Sequence, residues 1–124
     1  VIALSSGESE FYAIVRGVAT SLGMRSMAKD FGLDLKIQLE TDSVAGRGMA
    51  LRLGVGKVRH IDTQWLWVQG VFNRREATIR KIPGISNDAG LMTKFLDGPK
   101  IKAIIEAMGF VFASGRSELA LKAA

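Results

Sequence analysis

Two acidic side chains stand in positions where they could share a cation. Glu10 follows the serines of LSSGESEFYAI, in the first turn of a predicted helix, and Asp42 ends the predicted strand LKIQLETD. Open α/β sheets place their ligands at the carboxyl ends of strands, so this strand end and the preceding helix can approach each other there. Paired carboxylates suit a hard cation such as Mg²⁺, which takes oxygen ligands and keeps several waters.

Each of these acidic positions also has an interpretation that involves no ligand. A serine of LSSG or its glycine can cap the helix. The carboxylates of Glu8 and Glu10 then interact favourably with the positive end of the helix dipole. Asp42 can cap the next helix or form an Asx-turn within TDS. These residues alone leave the structural and the metal-binding interpretations open.

The hydrophobic pattern predicts an α/β protein in which helices alternate with two strands. Sheets usually contain about 4–6 strands, so two strands predict an incomplete sheet whose first strands precede residue 1. A domain is expected over residues 1–112, followed by a C-terminal tail over 113–124. Helices are predicted at 9–31, at 43–53, from Asp62 through Phe72, at 89–95 and at 99–109, and strands at 35–42 and 76–83.

Composition restricts the class of protein more than its function. The 124 residues suit one domain, and the absence of cysteine excludes disulfides and thiolate metal sites. No apolar run approaches the roughly 20 residues of a membrane helix, and the first residues lack the pattern of a signal peptide. We therefore expect an intracellular protein, cytoplasmic or nuclear, that is neither secreted nor bound to a membrane.

The net charge of +5 and the pI of about 9.9 favour a polyanionic partner, above all nucleic acid. Basic side chains cluster at 47–59 and at 74–81, and such groups contact the phosphate backbone without reading sequence. Each can equally be a solvated surface charge, and the histidine can instead orient the start of the next helix. The candidate nucleic-acid contacts are Arg47, Lys57, Arg59, His60, Arg74, Arg75 and Arg80.

Four segments follow one another along the chain: LSSGESEFYAI, LETDSVAG, KVRHIDTQWLWVQ and KIPGISNDAGLMTKFL. In this order and spacing they resemble the ribonuclease H domain at the end of copia-type retrotransposon polyproteins. Those domains read ALSSTEAEY, then a strand ending in CDN or TD, then KHIDI before a helix, then N-x-A-D-x-x-T-K. The resemblance extends from residue 1 to about residue 109.

The resemblance implies a ribonuclease H-like fold, a mixed sheet flanked by helices, here without its first strands. It implies that Glu10 and Asp42 are metal ligands and that Glu8 is a first-turn or capping residue. Family members hold two Mg²⁺ or Mn²⁺ ions about 3.5–4 Å apart and hydrolyse the RNA strand of RNA–DNA hybrids. The implied partners are such a hybrid, or another nucleic acid, and the reverse transcriptase portion of the same polyprotein.

Two departures from the family pattern bear on activity. The third acidic position of the family falls on Gly90, and Asp88, two residues earlier, is the substitute candidate for a catalytic role. The first catalytic aspartate of the family belongs to a strand that precedes residue 1. Fewer oxygen ligands weaken a Mg²⁺ site, so we expect impaired cleavage. The alternative is a non-catalytic nucleic-acid-binding or structural relic of the same fold.

Overall fold

A computed structural model describes residues 2–57, 61, 63–91, 93–115 and 118 of the chain. They form a mixed α/β structure, as predicted, in two compact units, Val1–Asn87 and Asp88–Ala124. No helix within these described ranges combines the length and the apolar character needed to cross a membrane. The first unit contains α1 (Ser6–Asp30), β1 (Ile37–Thr41), α2 (Val44–Leu51), α3 (Trp67–Asn73) and β2 (Ala77–Lys81), and the second contains α4 (Gly98–Ala107).

A two-stranded parallel sheet forms the centre of the first unit. β1 and β2 pair in register, with Ile37 opposite Ala77 and Thr41 opposite Lys81. The Ile82 N–H donates to the Thr41 carbonyl at 2.9 Å, which extends the pairing one step beyond β2. Parallel strands need a crossover connection, and this one contains α2 and α3. The carboxyl ends of both strands therefore lie at the same edge of the sheet.

Both predicted strands are present, with shorter limits than the hydrophobic pattern indicates. β1 begins at Ile37, and Leu35 lies outside it with 48% of its surface exposed. In β2 the alternation is retained, because Ala77 and Ile79 are buried and Thr78 is exposed. A strand is limited by its hydrogen-bonded ladder, so an apolar residue before the first pair does not join the core.

The long first helix is confirmed, and it begins three residues before the predicted start. Ser5 is the N-cap of α1, and its Oγ accepts the Glu8 N–H at 3.2 Å. Gly32 follows the end of the helix with a φ of 78°, a conformation that glycine adopts without steric cost. Phe11 and Val18 are fully buried, so the first half of α1 contributes the centre of the core.

The second half of α1 leaves its apolar residues in solvent. Met27 and Phe31 continue the helical spacing, yet they are 63% and 81% exposed. The sheet covers only the middle of this helix, where a Cβ added at Gly17 would lie 3.2 Å from the Leu39 side chain. Leu22 is the last residue of α1 that packs against the core. Periodicity therefore predicts the helix correctly and overestimates how much of its length is buried.

Of two other predicted helix positions, one is wrong and one lies outside the described residues. The short helix predicted at 89–95 is wrong, because the described residues of this stretch form only a 3₁₀ turn, Asp88–Gly90. The Thr93 hydroxyl donates to the carbonyls of Ala89 and the following residue at 2.9 and 3.2 Å, and such bonds compete with a regular helix. The predicted N-cap Asp62 lies outside the described residues, and α3 itself begins at Trp67.

The predicted helix after Pro99 is confirmed as α4. Asp97 is its N-cap, accepting the Lys100 N–H at 3.0 Å, and Pro99 stands in the first turn, where its missing N–H costs no hydrogen bond. Gly109 follows the helix with a φ of 87°. No residue of α4 is buried, so the local signals of cap and proline, more than packing, define this helix.

Gln69 is a buried polar residue that links three parts of the first unit. Its side-chain amide donates to the Met49 carbonyl at 2.8 Å and to the Gly54 carbonyl at 3.0 Å. Its carbonyl oxygen accepts the Gly54 N–H at 2.8 Å. Because the amide is satisfied on both sides, it joins α3 to the end of α2 and to the loop that follows without an unpaired buried group.

The contact between α1 and α2 is made through glycine on both helices. A Cβ added at Gly7 would lie 3.0 Å from the Ala45 Cβ, and one added at Gly46 would lie 3.0 Å from the Glu10 Cβ. The Ile14 Cδ1 is 3.2 Å from the same position on Gly46. Larger side chains at these two positions would force the helices apart.

Gly46→Ala should lower the free energy of unfolding, whereas Gly48→Ala in the same helix should raise it. Nothing lies within 4 Å of a Cβ at Gly48, so alanine there gains helix propensity of up to about 1 kcal/mol. At Gly46 the added methyl overpacks the contact, which typically costs about 1–3 kcal/mol. Urea denaturation measures both changes. If the two variants are stabilised equally, the close helix contact is absent.

Candidate functional site

Asp42 lies half-buried directly after β1, at the carboxyl end of the sheet. The turn after β2 approaches it, because a Cβ added at Gly84 would lie 3.2 Å from the Asp42 Oδ2. The N-cap of α2 is Ser43, whose Oγ accepts the Gly46 N–H at 3.0 Å. Asp42 is therefore not the helix cap that one interpretation of TDS assigns to it.

Glu10 lies exposed on α1 just beyond its first turn, and not within it as predicted, because the helix already begins at Ser6. A Cβ added at Gly46 would lie 3.0 Å from the Glu10 Cβ and 3.2 Å from the Ser43 Oγ. The packing of α1 on α2 thus brings Glu10 next to the residue that follows Asp42. The two predicted metal ligands border the same helix start.

Glu8 is the acidic residue of the first turn, and it is 1% exposed. Its Oε1 accepts the Tyr12 hydroxyl at 2.5 Å, and its Oε2 accepts the Leu4 N–H at 2.8 Å. Together with the Ser5 cap, this arrangement is close to a capping box, in which a glutamate reaches back to the N–H groups before the helix. Glu8 therefore has the structural role that the resemblance implies for it.

The described ranges contain no larger group of acidic side chains that could coordinate a metal. Among those residues, no three His, Cys, Asp or Glu side chains come together in a group that could hold a metal ion. Asp88, the candidate substitute ligand, is exposed at the start of a 3₁₀ turn in the second unit. Glu10 and Asp42 therefore border the same helix start without a third acidic side chain beside them among the described residues.

Two of the candidate nucleic-acid contacts are occupied by carboxylates. Arg80 donates through its Nη2 to the Glu40 Oε1 on the neighbouring strand, where the register sets the two residues opposite each other. Arg74 donates through its Nε to the Glu76 Oε1 at 2.6 Å. Both arginines are well exposed, so these pairs contribute little stability, yet they neutralise charge that would otherwise face a polyanion.

The pKa of the Glu76 carboxyl is held below its usual value. The hydrogen bond from Arg74 is the largest cause, the charge of the same guanidinium is the second, and Arg25 adds to the effect. Arg25 also donates to the Glu76 carbonyl at 2.9 Å. Glu76 therefore stays ionised, and Arg74 stays paired, down to a lower pH than an isolated glutamate would allow.

The other basic candidates differ from these pairs. Arg47 is half-buried on α2, Lys57 is exposed, and Arg75 is exposed just after α3. Within the part of the chain that the structure describes, no carboxylate pairs with Arg47 or Arg75. Arg59 and His60 lie outside that part, so their predicted contacts stay predictions.

Sequence reasoning missed the role of Gln69 and the partners of the arginines. A glutamine inside an apolar helical stripe, as in WVQGVF, is a signal for a buried amide network, and it was available in the sequence. The Arg80–Glu40 pair depends on the strand register, which no local pattern contains. The S-x-x-E pattern that runs from Ser5 to Glu8 signals the capping role of Glu8.

No protein-family model matches this chain, and neither does a curated protein or a solved structure. The class of protein therefore stays a prediction. It rests on the four segments that resemble copia-type ribonuclease H domains and on the positions of Glu10 and Asp42 in the fold.

Glu8→Ala and Glu10→Ala should differ sharply in stability. Loss of the nearly fully buried Glu8 carboxylate removes the acceptor of the Tyr12 hydroxyl and of the Leu4 N–H, which should cost about 1–3 kcal/mol of unfolding free energy. Glu10 is exposed, and its truncation should change that free energy by no more than about 0.5 kcal/mol. Chemical denaturation gives both values. Equal losses would contradict the separate roles of the two glutamates.

Proposed function

We propose that this chain is a ribonuclease H-like domain of a copia-type retroelement polyprotein, with impaired hydrolysis of the RNA strand of RNA–DNA hybrids. The observation that carries the proposal is the position of Glu10 and Asp42 around the start of α2. The chain has 12 acidic residues, and the resemblance selects these two as metal ligands. Both residues border the start of α2, which is the arrangement that a shared cation requires.

The described residues do not fit a complete two-metal centre. Such a centre needs several oxygen ligands to hold two ions at the correct spacing, and no acidic group of three exists in the described ranges. Residue 90, at the third acidic position of the family, is a glycine and supplies no ligand. Glu10 and Asp42 would bind at most a weakly held Mg²⁺ or Mn²⁺, and impaired cleavage is the expected result.

A second candidate function is non-catalytic binding of nucleic acid by the same fold. The glycine at position 90 favours it, because a domain that no longer cleaves has no need for that carboxylate. Arg47, Lys57 and Arg75 have charges that are available for a phosphate backbone. The reverse transcriptase portion of the parent polyprotein would remain the expected partner under either function.

Cleavage of a labelled RNA–DNA hybrid, in Mg²⁺ and then in Mn²⁺, tests the proposed function. We expect slow cleavage by the unmodified chain and at least about tenfold slower cleavage by Asp42→Asn, since even the loss of a residue that only orients a metal ligand typically costs about 10–100-fold. Arg16→Gln, which changes an exposed residue elsewhere on α1, is the control.

Cleavage that persists unchanged in Asp42→Asn would contradict the assignment of the metal site. Absence of cleavage, together with hybrid binding that weakens as salt rises, would instead favour the non-catalytic function. If the chain neither cleaves nor binds the hybrid, both candidate functions are wrong.

The resemblance alone assigns residue 90 to the metal site, and it predicts that Gly90→Asp strengthens Mn²⁺ binding and accelerates hybrid cleavage relative to Gly90→Asn. A Cβ added at Gly90 meets nothing closer than the Lys94 Cδ at 4.0 Å, so an aspartate can start there without a clash. The asparagine variant has nearly the same volume and no charge, which makes it the matched control. Calorimetric Mn²⁺ titration and the cleavage rate are the measurements, and identical results for the two variants would remove residue 90 from the site.

A further inference from the structure

An open groove of about 410 Å³ lies between α2 and the beginning of β2 in the first unit. Arg47 and Arg75 line it from different elements, and Leu51 and Phe72 form part of its wall. The described residues that line it include no acidic side chain. Two guanidinium groups beside an apolar wall make a setting in which an anion is attracted more strongly than at a fully solvated surface.

Arg47 is held in this groove with part of its guanidinium already dehydrated. Its Nε is buried and has no hydrogen-bond partner among the residues that the structure describes. A buried donor without an acceptor is unfavourable, so this position of Arg47 contributes little to the stability of the fold. No carboxylate among the described residues compensates the charge. An anion bound by the rest of the guanidinium would supply that compensation.

Arg75 occupies a backbone position that favours glycine. Its φ is 58°, and it is the non-glycine residue with a positive φ among the residues described. The Arg75 N–H donates to the Phe72 carbonyl at 3.0 Å, and the Glu76 N–H donates to the Val71 carbonyl at 3.1 Å. These two bonds define a Schellman motif with Arg75 at the C′ residue, where glycine avoids the steric cost of the left-handed conformation.

An arginine at this C′ position costs stability and places a positive charge at the groove. Strained residues that persist in a fold often serve a site, and here the observed strain and the unpaired charge fall on the same residue. Arg74, the preceding residue, already pairs with Glu76. The two neighbouring arginines therefore have different roles, one paired with a carboxylate and one directed to the groove lining.

We propose that the groove lined by Arg47 and Arg75 is a phosphate-binding site. Arginine suits this ligand because its planar group donates two parallel hydrogen bonds to phosphate oxygens. On the function proposed above, on which this assignment of the source rests, the bound group is a backbone phosphate of the RNA–DNA hybrid. The groove is separate from Glu10 and Asp42, which do not line it, and would position the hybrid rather than cleave it.

Inorganic phosphate tests the site without reference to nucleic acid. At matched ionic strength, replacing chloride by phosphate should raise the Tm of the unmodified chain. Arg47→Gln and Arg75→Gly should lose most of this increase, and Arg16→Gln should retain it. Arg75→Gly should itself have a higher Tm than the unmodified chain, because glycine relieves the left-handed strain, so unfolding cannot explain its loss of phosphate response. Equal phosphate responses in all four proteins would overturn the proposal.

Hybrid binding over a range of salt concentrations then identifies the source of the phosphate. The plot of log affinity against log salt should become shallower by about 1 in Arg47→Gln and in Arg75→Gly, and should not change in Arg16→Gln. Hybrid binding with an unchanged slope in both groove variants would overturn the groove as a backbone contact and leave the proposed function standing. A phosphate response that depends on both arginines, without any hybrid binding, would support the site and contradict the proposed function.

Discussion

The close packing of α1 on α2 is the constraint on which the candidate site depends. Gly7 and Gly46 each remove a side chain at the contact, so Ala45 and Glu10 reach the backbone of the opposite helix. A wider separation would carry Glu10 away from the end of β1 and from Asp42. The position of Glu10, a candidate metal ligand, is thus determined by glycines at the helix contact. A search of the sequence for charged residues would not find these glycines.

The sheet register divides basic residues that look equivalent in the sequence. Arg80 faces Glu40 across the strands and is neutralised there, and the turn after α3 pairs Arg74 with Glu76. Arg47 and Arg75 receive no such partner among the described residues and meet at one groove. The effective positive surface is therefore smaller and more localised than the net charge of +5 indicates. Localised charge favours a defined contact over diffuse attraction.

Local signals predicted much of the fold, and long-range contacts decided the rest. The start of α1 and that of α2 could be predicted from serines, because a cap depends on neighbours within three residues. The limit of β1 could not, since it depends on pairing with a distant strand, and Leu35 fell outside it. Glu8 and Glu10 lie about 200° apart around the helix, so only one can face the core. Alternation of charge alone could not tell which, and in the fold it is Glu8 that is buried.

The parallel pairing of β1 with β2 also has a consequence for how the chain folds. Ile37 and Ala77 are forty residues apart in the sequence, and the intervening segment must be closed into a loop before the strands gain any hydrogen bond. Closing such a loop costs chain entropy in advance of the contacts that offset it, so proteins dominated by distant pairings fold slowly. The α1–α2 contact closes a loop of nearly the same length, because Gly7 and Ala45 are thirty-eight residues apart, so neither contact is local. We expect the helix contact and the strand pairing to form together, in one cooperative step.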